Sequence, residues 1–420
     1  MKKIWIFHPY GTPKQIIGLT RPYDMGKELL KAGYDITIFS GSYLHYTGQQ
    51  LIKNDLSFYV EKEYDGIKFR FIKTRSYKDN GKERILNFFD YYFNLKRIVK
   101  ELIEKGDIPN LIYASSPHPL ALMAGIQIAK RLKIKCIGEV RDFWPEVFFL
   151  GGRLKEKSIL GQILLKGEKY LYKNLDGIIF LKEGDIDYII DRKWDKFHGG
   201  PVDLNKIEYI NNGVDLNTFD FNKKTYSLLD RDLEDNCFKV IYVGAIRKIN
   251  NLNKILDVAK LFVDDEKIKF LIYGDGNERE QLEQRIKDEK ISNVFFKGYV
   301  EKKYIPFILS KAGVNILNYS QIAYNWTRGN SSNKLFEYMA SGKPIISTIK
   351  MGYSIIQKYK CGIELENDDI ETFYNAIKKI KFLSDQEYKR LSENSRIGAE
   401  DFTYEKLGKK LIKMVETIEK

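Results

Sequence analysis

Only three cysteines occur in 420 residues, Cys136, Cys237 and Cys361, and none has C-x-x-C spacing. Neither a disulfide framework nor a cysteine zinc site is indicated, and a reducing cytoplasm suits the chain. Histidine is also scarce: His8, His45, His118 and His198 are dispersed, and no D-x-D falls in a suitable place. No metal is therefore expected. No window approaches the roughly 18–20 apolar residues of a spanning helix. The apolar run in MKKIWIFHPYG is too short for a signal segment and reads as a first buried strand, so a soluble or peripheral protein is expected. The loop after that strand carries Gly11, Pro13 and Gly18, which is not the G-x-G-x-x-G of a dinucleotide site.

What is plentiful is positive charge. Seventy Lys and Arg stand against 57 Asp and Glu, a formal net charge of +13. Nucleotide phosphates, lipid headgroups and nucleic acid all suit such a balance. Nucleic acid is the weakest of the three, because the basic residues are interleaved with acids and no recognition motif is present. The length exceeds what one core usually supports, so two domains are expected.

Taken in order, Lys3 to His8 reads as a strand, Arg21 to Ala32 as a helix and Asp35 to Ser40 as the next strand, a β-loop-α-β unit. A hairpin-like segment follows (57–61 and 67–73), then a long helix from about Glu83 to Lys105. Buried strands are predicted at Asn110 to Ala114, Lys135 to Val140 and Gly177 to Leu181. The second of these delivers RDFWPE, Arg141 to Glu146, at its C-terminal end, where open parallel sheets bind ligands. A second set of strands is predicted at 238–243, 268–273, 294–296 and 314–317, and a last helix at about 405–419. Strands alternating with helices twice over imply two Rossmann-like α/β domains with a crevice between their sheets. The boundaries are placed at 1–205, a linker region at 206–236, 237–400, and a C-terminal helix at 401–420 whose apolar positions suit packing against either domain, the first among them.

Two stretches suggest a membrane surface. The long helix gathers Phe88, Phe89, Tyr91, Tyr92 and Phe93 with Lys96, Arg97 and Lys100 nearby. Interfacial helices combine aromatics and basic residues in this way, and core packing explains the same aromatics. The segment from Phe148 to Asn174 sets Arg153, Lys155, Lys157, Lys166, Lys169 and Lys173 against only Glu156 and Glu168, around an apolar run from Ile159 to Leu165. It reads equally as a basic amphipathic surface for an anionic membrane and as a helix with a solvated face.

The stretch GNSSNKLFEYMASGKPIIS, Gly329 to Ser347, reads as a polar loop, a helix from about Ser332 to Ala340, a Ser-Gly stop and a strand from Pro344 to Ser347. Small residues at the start, Ser331 and Ser332 among them, leave backbone N–H groups available to an anion, and phosphate is the natural guest. Glu337 lies one and a half turns into the helix, where its carboxylate could accept two ribose hydroxyls. An ordinary capped amphipathic helix has the same local pattern.

The order FWPE, NNGVD, VGAIRK, IYGDGNER, F-x-G-Y-V and SSNKLFEYMASGKPII resembles the family 4 glycosyltransferases, retaining enzymes whose two Rossmann-like domains face each other across a cleft (the GT-B fold). VRDFWPE and SNKLFEYMASGKPI are similar to the branch that builds bacterial O-antigen and capsule, of the WbuB-type fucosaminyltransferases. The resemblance implies donor contacts at Gly18, Gly274, Ser331, Ser332, Lys334 and Glu337, with Glu337 holding the ribose and Arg247 with Lys248 neutralising the diphosphate. It places Asp142 near the reacting centre. His118, in SSPHPL, is a candidate for acceptor contact or proton handling, and a loop histidine between two prolines is also commonly structural. Two departures stand out. The first glutamate of the family's E-x7-E motif is replaced by Gly329, and the usual Lys-Gly pair by Asn250-Asn251. Lys254 reads as a solvated helix lysine.

The resemblance implies metal-independent transfer, with retention, of a sugar from a UDP-sugar to a polyprenyl-diphosphate-linked saccharide on the cytoplasmic face of a membrane. An N-acetylated hexosamine or deoxyhexosamine is the expected sugar. A nucleotide-sugar 2-epimerase of the same fold and an inactive glycosyltransferase-like binding subunit are the alternatives.

Overall fold

Runs such as Ile4-Trp5-Ile6-Phe7 and Val240-Ile241-Tyr242-Val243 are buried along their whole length, as parallel strands covered on both faces must be. In the computed structural model, which describes residues 1–52, 57–79, 81–321 and 325–419, such strands build two sheets. The chain divides into two units, Met1–Asn211 with Tyr404–Lys420, and Asn212–Thr403.

The first unit contains β1 (Lys3–Phe7), β2 (Asp35–Gly41), β3 (Tyr59–Tyr64), β4 (Ile67–Ile72), β5 (Leu111–Ser115), β6 (Lys135–Val140), β7 (Gly177–Phe180) and β8 (Ile207–Tyr209). Among the described residues they form one sheet in the order β3-β4-β2-β1-β5-β6-β7-β8. All neighbours pair in parallel except β3 and β4, which form the expected hairpin. Helices α1 (Arg21–Lys31), α2 (Lys82–Glu104), α3 (Pro119–Leu132), α4 (Trp144–Leu150) and α5 (Ile159–Asn174) connect them. The C-terminal helix Tyr404–Glu419 also belongs to this unit and lies on α1. A Cβ at its Gly408 would come within 2.5 Å of the Glu28 Cβ, so glycine permits the approach.

The second unit contains β9 (Phe238–Val243), β10 (Ile268–Tyr273), β11 (Val294–Gly298), β12 (Val314–Leu317), β13 (Ile345–Ser347) and β14 (Gly362–Glu364). They pair in parallel in the order β11-β10-β9-β12-β13-β14. The stretch 206–236 differs from a linker. β8 completes the first sheet, while the helix Leu216–Thr225 is capped by Asp215, whose side chain accepts from the Thr218 N–H at 3.0 Å, and buries Phe219 in the second unit. Among the described residues, no helix is long and apolar enough to cross a membrane.

The long aromatic helix splits by periodicity. Phe88 and Tyr91 are buried, whereas Phe89 and Phe93 face solvent, Phe93 with 62% exposure. The 148–174 segment is the end of α4, a turn, and α5, which starts where the Ser158 hydroxyl accepts from the Gly161 N–H at 3.1 Å.

Candidate functional site

In the second unit, the loops that leave β9 and β10 approach each other very closely. At Gly274 φ is +141°, and a Cβ there would stand 1.9 Å from the Gly244 carbonyl oxygen, so only glycine fits. Past Gly244 the chain makes a short 3-10 turn, Lys248–Asn250, with Arg247 at its start. Arg247 and Lys248 are exposed and, among the described residues, neither forms an ion pair. The sequence therefore leaves two free cations on a loop held by glycine contacts.

Beneath that loop runs the helix Asn333–Ala340. Its half-buried Lys334 points at the same place: the ammonium Nζ donates to the Tyr242 hydroxyl at 3.0 Å. It also lies 4.7 Å and 4.6 Å from the centres of the Tyr242 and Tyr319 rings. With the Asn250 amide oriented to satisfy its neighbours, its oxygen accepts from Lys334 Nζ at 3.0 Å and its nitrogen donates to the Ala245 carbonyl. Every one of these partners is neutral. Among the described residues, no carboxylate lies within ion-pair distance of Lys334. Burial lowers its pKa to about 7, and the nearby Glu337 restores only part of the shift. The loss of lysine at position 250 is thus accompanied by a different cation reaching Asn250 from another element.

At the start of this helix, the Ser332 N–H is taken by the Asn330 side chain at 2.6 Å, and the Ser331 carbonyl accepts from Asn212 Nδ2 at 2.5 Å. The Ser332 hydroxyl oxygen is enclosed and has no partner among the described residues. Glu337, one turn on, is half-buried with the Lys302 ammonium 3.7 Å away. Gly329, where the family's first glutamate would stand, has φ +101°. Non-glycine residues adopt that conformation only under strain, so the loop backbone itself departs from a glutamate-bearing one. Gly244, Gly274, Lys334 and the turn 247–250 are brought together, with Ser331, Ser332 and Glu337 on the same helix or its lead-in.

One reading of a cation is corrected. Lys254 is not solvated: it is buried, ion-paired with Asp368, and directs its ammonium toward the Thr348 carbonyl at 3.5 Å. The first turn of its helix packs inward on the sheet, which leaves Lys254 as a structural tie.

In the first unit, β6 carries a buried glutamate, Glu139, among apolar neighbours. Arg21 Nε donates to it at 2.8 Å, and the Arg21 guanidinium also donates to the Ile210 and Asn211 carbonyls at 2.8 and 2.5 Å. Ser115, Tyr113 and Arg141 contact the same carboxylate, Ser115 at 2.8 Å and Arg141 at 3.4 Å. Burial alone would raise the Glu139 pKa, but Arg21, Arg141 and the Tyr113 hydroxyl hold it down to about 2. Arg21 is therefore consumed in this buried network. The signal for this network was a charged residue inside an apolar strand. Asp142, two residues past β6, is exposed. His118 is fully buried, stacked on Phe88 at 4.2 Å, and neither ring nitrogen has a partner among the described residues. Burial lowers its pKa to about 3, which keeps it neutral. Gly18 lies in the loop before α1, where a Cβ would clash with Thr12 at 2.6 Å.

Comparisons with known proteins agree with this division. Residues 20–218 match the model described as Glycosyltransferase Family 4, and residues 230–397 match Glycosyl transferases group 1. The putative teichuronic acid biosynthesis glycosyltransferase TuaH of Bacillus subtilis (strain 168) is 26% identical over 193 residues, 45% of this chain and 46% of that protein. The poly(ribitol-phosphate) alpha-N-acetylglucosaminyltransferase of Staphylococcus aureus (strain COL) is 24% identical over 219 residues, 50% of this chain and 38% of that protein. The chain thus spans less than half the length of either curated relative. Among solved structures, the sucrose-phosphate synthase of Thermosynechococcus elongatus superposes with TM-score 0.71 at 16% identity, covering 100% of this chain and 99% of that one. Anabaena HepE in complex with UDP superposes with TM-score 0.65 at 13% identity, covering 99% and 100%. A likeness at these identities establishes the fold, and the fold is GT-B.

Proposed function

We propose, from the premise that this chain is a glycosyltransferase of the GT-B type, that it transfers a sugar from a UDP-sugar to a lipid-linked saccharide with retention and without a metal. The observation that carries the reading is Lys334, a desolvated ammonium surrounded by neutral groups beside two exposed cations. Such a cluster is electrostatically incomplete until an anion arrives. The unpartnered Ser332 hydroxyl supports the same reading. HepE, a neighbour in fold, is recorded with UDP, and the curated relatives are named as a putative teichuronic acid biosynthesis glycosyltransferase and a poly(ribitol-phosphate) alpha-N-acetylglucosaminyltransferase.

In this reading Glu337 accepts hydrogen bonds from the two ribose hydroxyls, and the phosphates lie against the loop that the close approach of Gly244 and Gly274 holds in place. As the bond between the sugar C1 and the diphosphate oxygen breaks, negative charge grows on UDP and the sugar becomes oxocarbenium-like. Arg247, Lys248 and Lys334 stabilise that charge, the role a divalent ion serves elsewhere. The acceptor hydroxyl attacks C1 on the face that UDP leaves, so configuration is retained, and its proton passes to the departing phosphate oxygen. Asp142 orients the acceptor. His118, buried and neutral, shapes the wall beneath Phe88 and is not the proton carrier. The sugar is an N-acetylated hexosamine or deoxyhexosamine, and the acceptor is anchored in the cytoplasmic face of the plasma membrane, where α5 and the preceding turn meet anionic lipid.

Calorimetric titration with UDP, GDP and ADP tests the reading. UDP is expected to bind preferentially, and Glu337→Ala to weaken it by about tenfold or more, as loss of hydrogen bonds to a charged group would. Absence of nucleotide binding, or equal affinity in Glu337→Ala, would remove the proposed donor site.

A further inference from the structure

At the C-terminal edge of the first sheet, two cations share one buried anion. Phe7 pairs with Ala114 and Ser115 with Glu139, so His8, the residue after Phe7, falls in one row with Ser115 and Glu139 across the neighbouring strands β1, β5 and β6. Both oxygens of Glu139 are occupied. One accepts from Arg21 Nε at 2.8 Å and from the Tyr113 hydroxyl, the other from the Ser115 hydroxyl at 2.8 Å. Arg141 reaches that second oxygen through a single nitrogen and only at 3.4 Å.

Most of Arg141 is therefore unused. A guanidinium carries five N–H donors in a fixed fork, and among the described residues nothing else accepts from this one. Its side chain is only 13% exposed, yet its other two nitrogens are not sealed off from solvent. His8 adds a donor without an acceptor. Its Nδ1 accepts from the Tyr10 N–H at 3.3 Å, which puts the ring proton on Nε2, and that nitrogen is enclosed without a partner. Burial, and then the charge of Arg141, push the His8 pKa down to about 3, so the ring is neutral. Arg21 and Arg141 against Glu139 leave one positive charge in excess, on a side chain largely withdrawn from water. Surplus charge and surplus donors are matched by a group that is negative and only accepts, an oxyanion.

The rest of the molecule narrows which oxyanion. In the reading above the donor's phosphates are met by Arg247, Lys248 and Lys334, all in the second unit. Arg141 belongs to the first unit and adjoins Asp142, which that reading sets on the acceptor. Carboxylates and phosphates are oxyanions that saccharides carry, and the guanidinium fork fits either with two parallel hydrogen bonds.

We propose that Arg141 is a specificity-determining residue that binds an acidic group of the acceptor saccharide, a carboxylate or a phosphate. The inference rests on the glycosyltransferase reading above and names the charge of its acceptor.

The test is proton–nitrogen correlation NMR of the full chain, following the arginine Nε–H signals during titration with glucuronate, glucose 6-phosphate, glucose, inorganic phosphate and UDP. The Arg141 signal, identified by its loss in Arg141→Lys, is expected to shift saturably with glucuronate or glucose 6-phosphate, and the tighter of the two names the acid. Glucose should leave it unmoved. The bound sugar should also raise the melting temperature of the wild type and not that of Arg141→Gln, in which Arg21, Ser115 and Tyr113 still satisfy Glu139. Arg141→Lys keeps the charge without the fork and should bind about tenfold more weakly; it serves if Arg141→Gln does not fold. If Arg141 only supported Glu139, both variants would melt lower and no anionic sugar would move its signal, which would overturn the proposal. Inorganic phosphate binding as tightly as either sugar would overturn it too, because the site would then hold an ion and not a saccharide. So would an Arg141 shift with UDP alone, which would assign the residue to the donor. UDP binding without a sugar-dependent shift at Arg141 defeats this inference and leaves the donor reading standing; absence of UDP binding defeats that reading instead.

Discussion

Lys334 concentrates the chemistry of the second unit in one titration. Its pKa of about 7 is low because burial penalises the ammonium, with Glu337 offsetting part of the shift. A bound diphosphate favours the charged form, so UDP binding should take up a proton wherever free Lys334 is neutral. Affinity is then flat below about pH 7 and falls above it, by up to roughly tenfold per pH unit until the complexed lysine itself titrates. Lys334→Met should bind UDP more weakly at pH 6.5 and lose that pH dependence. Calorimetry in two buffers of different ionisation enthalpy at pH 8 reads the proton directly, and equal heats after buffer correction would contradict the linkage. The sign for folding is the opposite. The unfolded lysine keeps its proton up to its ordinary value, so stability rises with pH between about 7 and that value. None of this was visible in SNKLFEY. The environment of Lys334 comes from Tyr242 on β9 and Tyr319 just past β12, brought to it by the fold.

At the scale of elements, the Glu139 network ties the start of α1 to strand β6 and to the chain leaving β8. Burial works to protonate Glu139, while Arg21 and Arg141 hold it ionised at about 2. A carboxylate with a depressed pKa contributes stability that is complete above its ordinary value and is lost as pH falls toward the depressed one. For Glu139 that window runs from the usual carboxylate range down to about pH 2. Arg21→Met leaves a buried carboxylate short of its main partner and should cost about 3–5 kcal/mol. The acid-unfolding midpoint, followed by far-UV circular dichroism, should rise in that variant, and Arg21→Met with Glu139→Gln should recover part of the loss. Elements of this kind were legible in the sequence where hydrophobic runs were long: β6, β9, β10 and β12 have the bounds that periodicity predicts. Side-chain partners were not. Lys254 looks solvated because it opens a helix with polar neighbours, and only the fold, which brings Asp368 and the Thr348 carbonyl to it, shows it buried. The cluster Phe88 to Phe93 reads as one feature in sequence, whereas the 3.6-residue turn sends Phe88 and Tyr91 inward and Phe89 and Phe93 out.

At the scale of the whole molecule, the net charge of +13 is not spread evenly among unpaired groups. Many lysines of the second unit are matched, as Lys269 and Lys297 are by Asp230, Asp232 and Asp235. The six basic residues from Arg153 to Lys173 are not. Charge left unpaired on a surface that also exposes Ile159, Leu160 and Ile163 is what attraction to an anionic bilayer requires, because the cations draw the surface in and the apolar side chains then bury. Each Lys or Arg near such a surface contributes about 1 kcal/mol. Replacing Arg153, Lys155 and Lys157 with serine should therefore lower the partition onto phosphatidylglycerol vesicles by roughly 100-fold. The wild-type partition should also weaken as salt rises from 0.05 to 0.5 M, where the screening length shortens to a few ångströms. Sedimentation with vesicles measures both. UDP affinity should be unchanged in the triple variant, since the proposed donor residues Lys334, Glu337 and Arg247 all lie in the other unit. A variant that sediments as the wild type does would show that α5 and its preceding turn do not face the membrane.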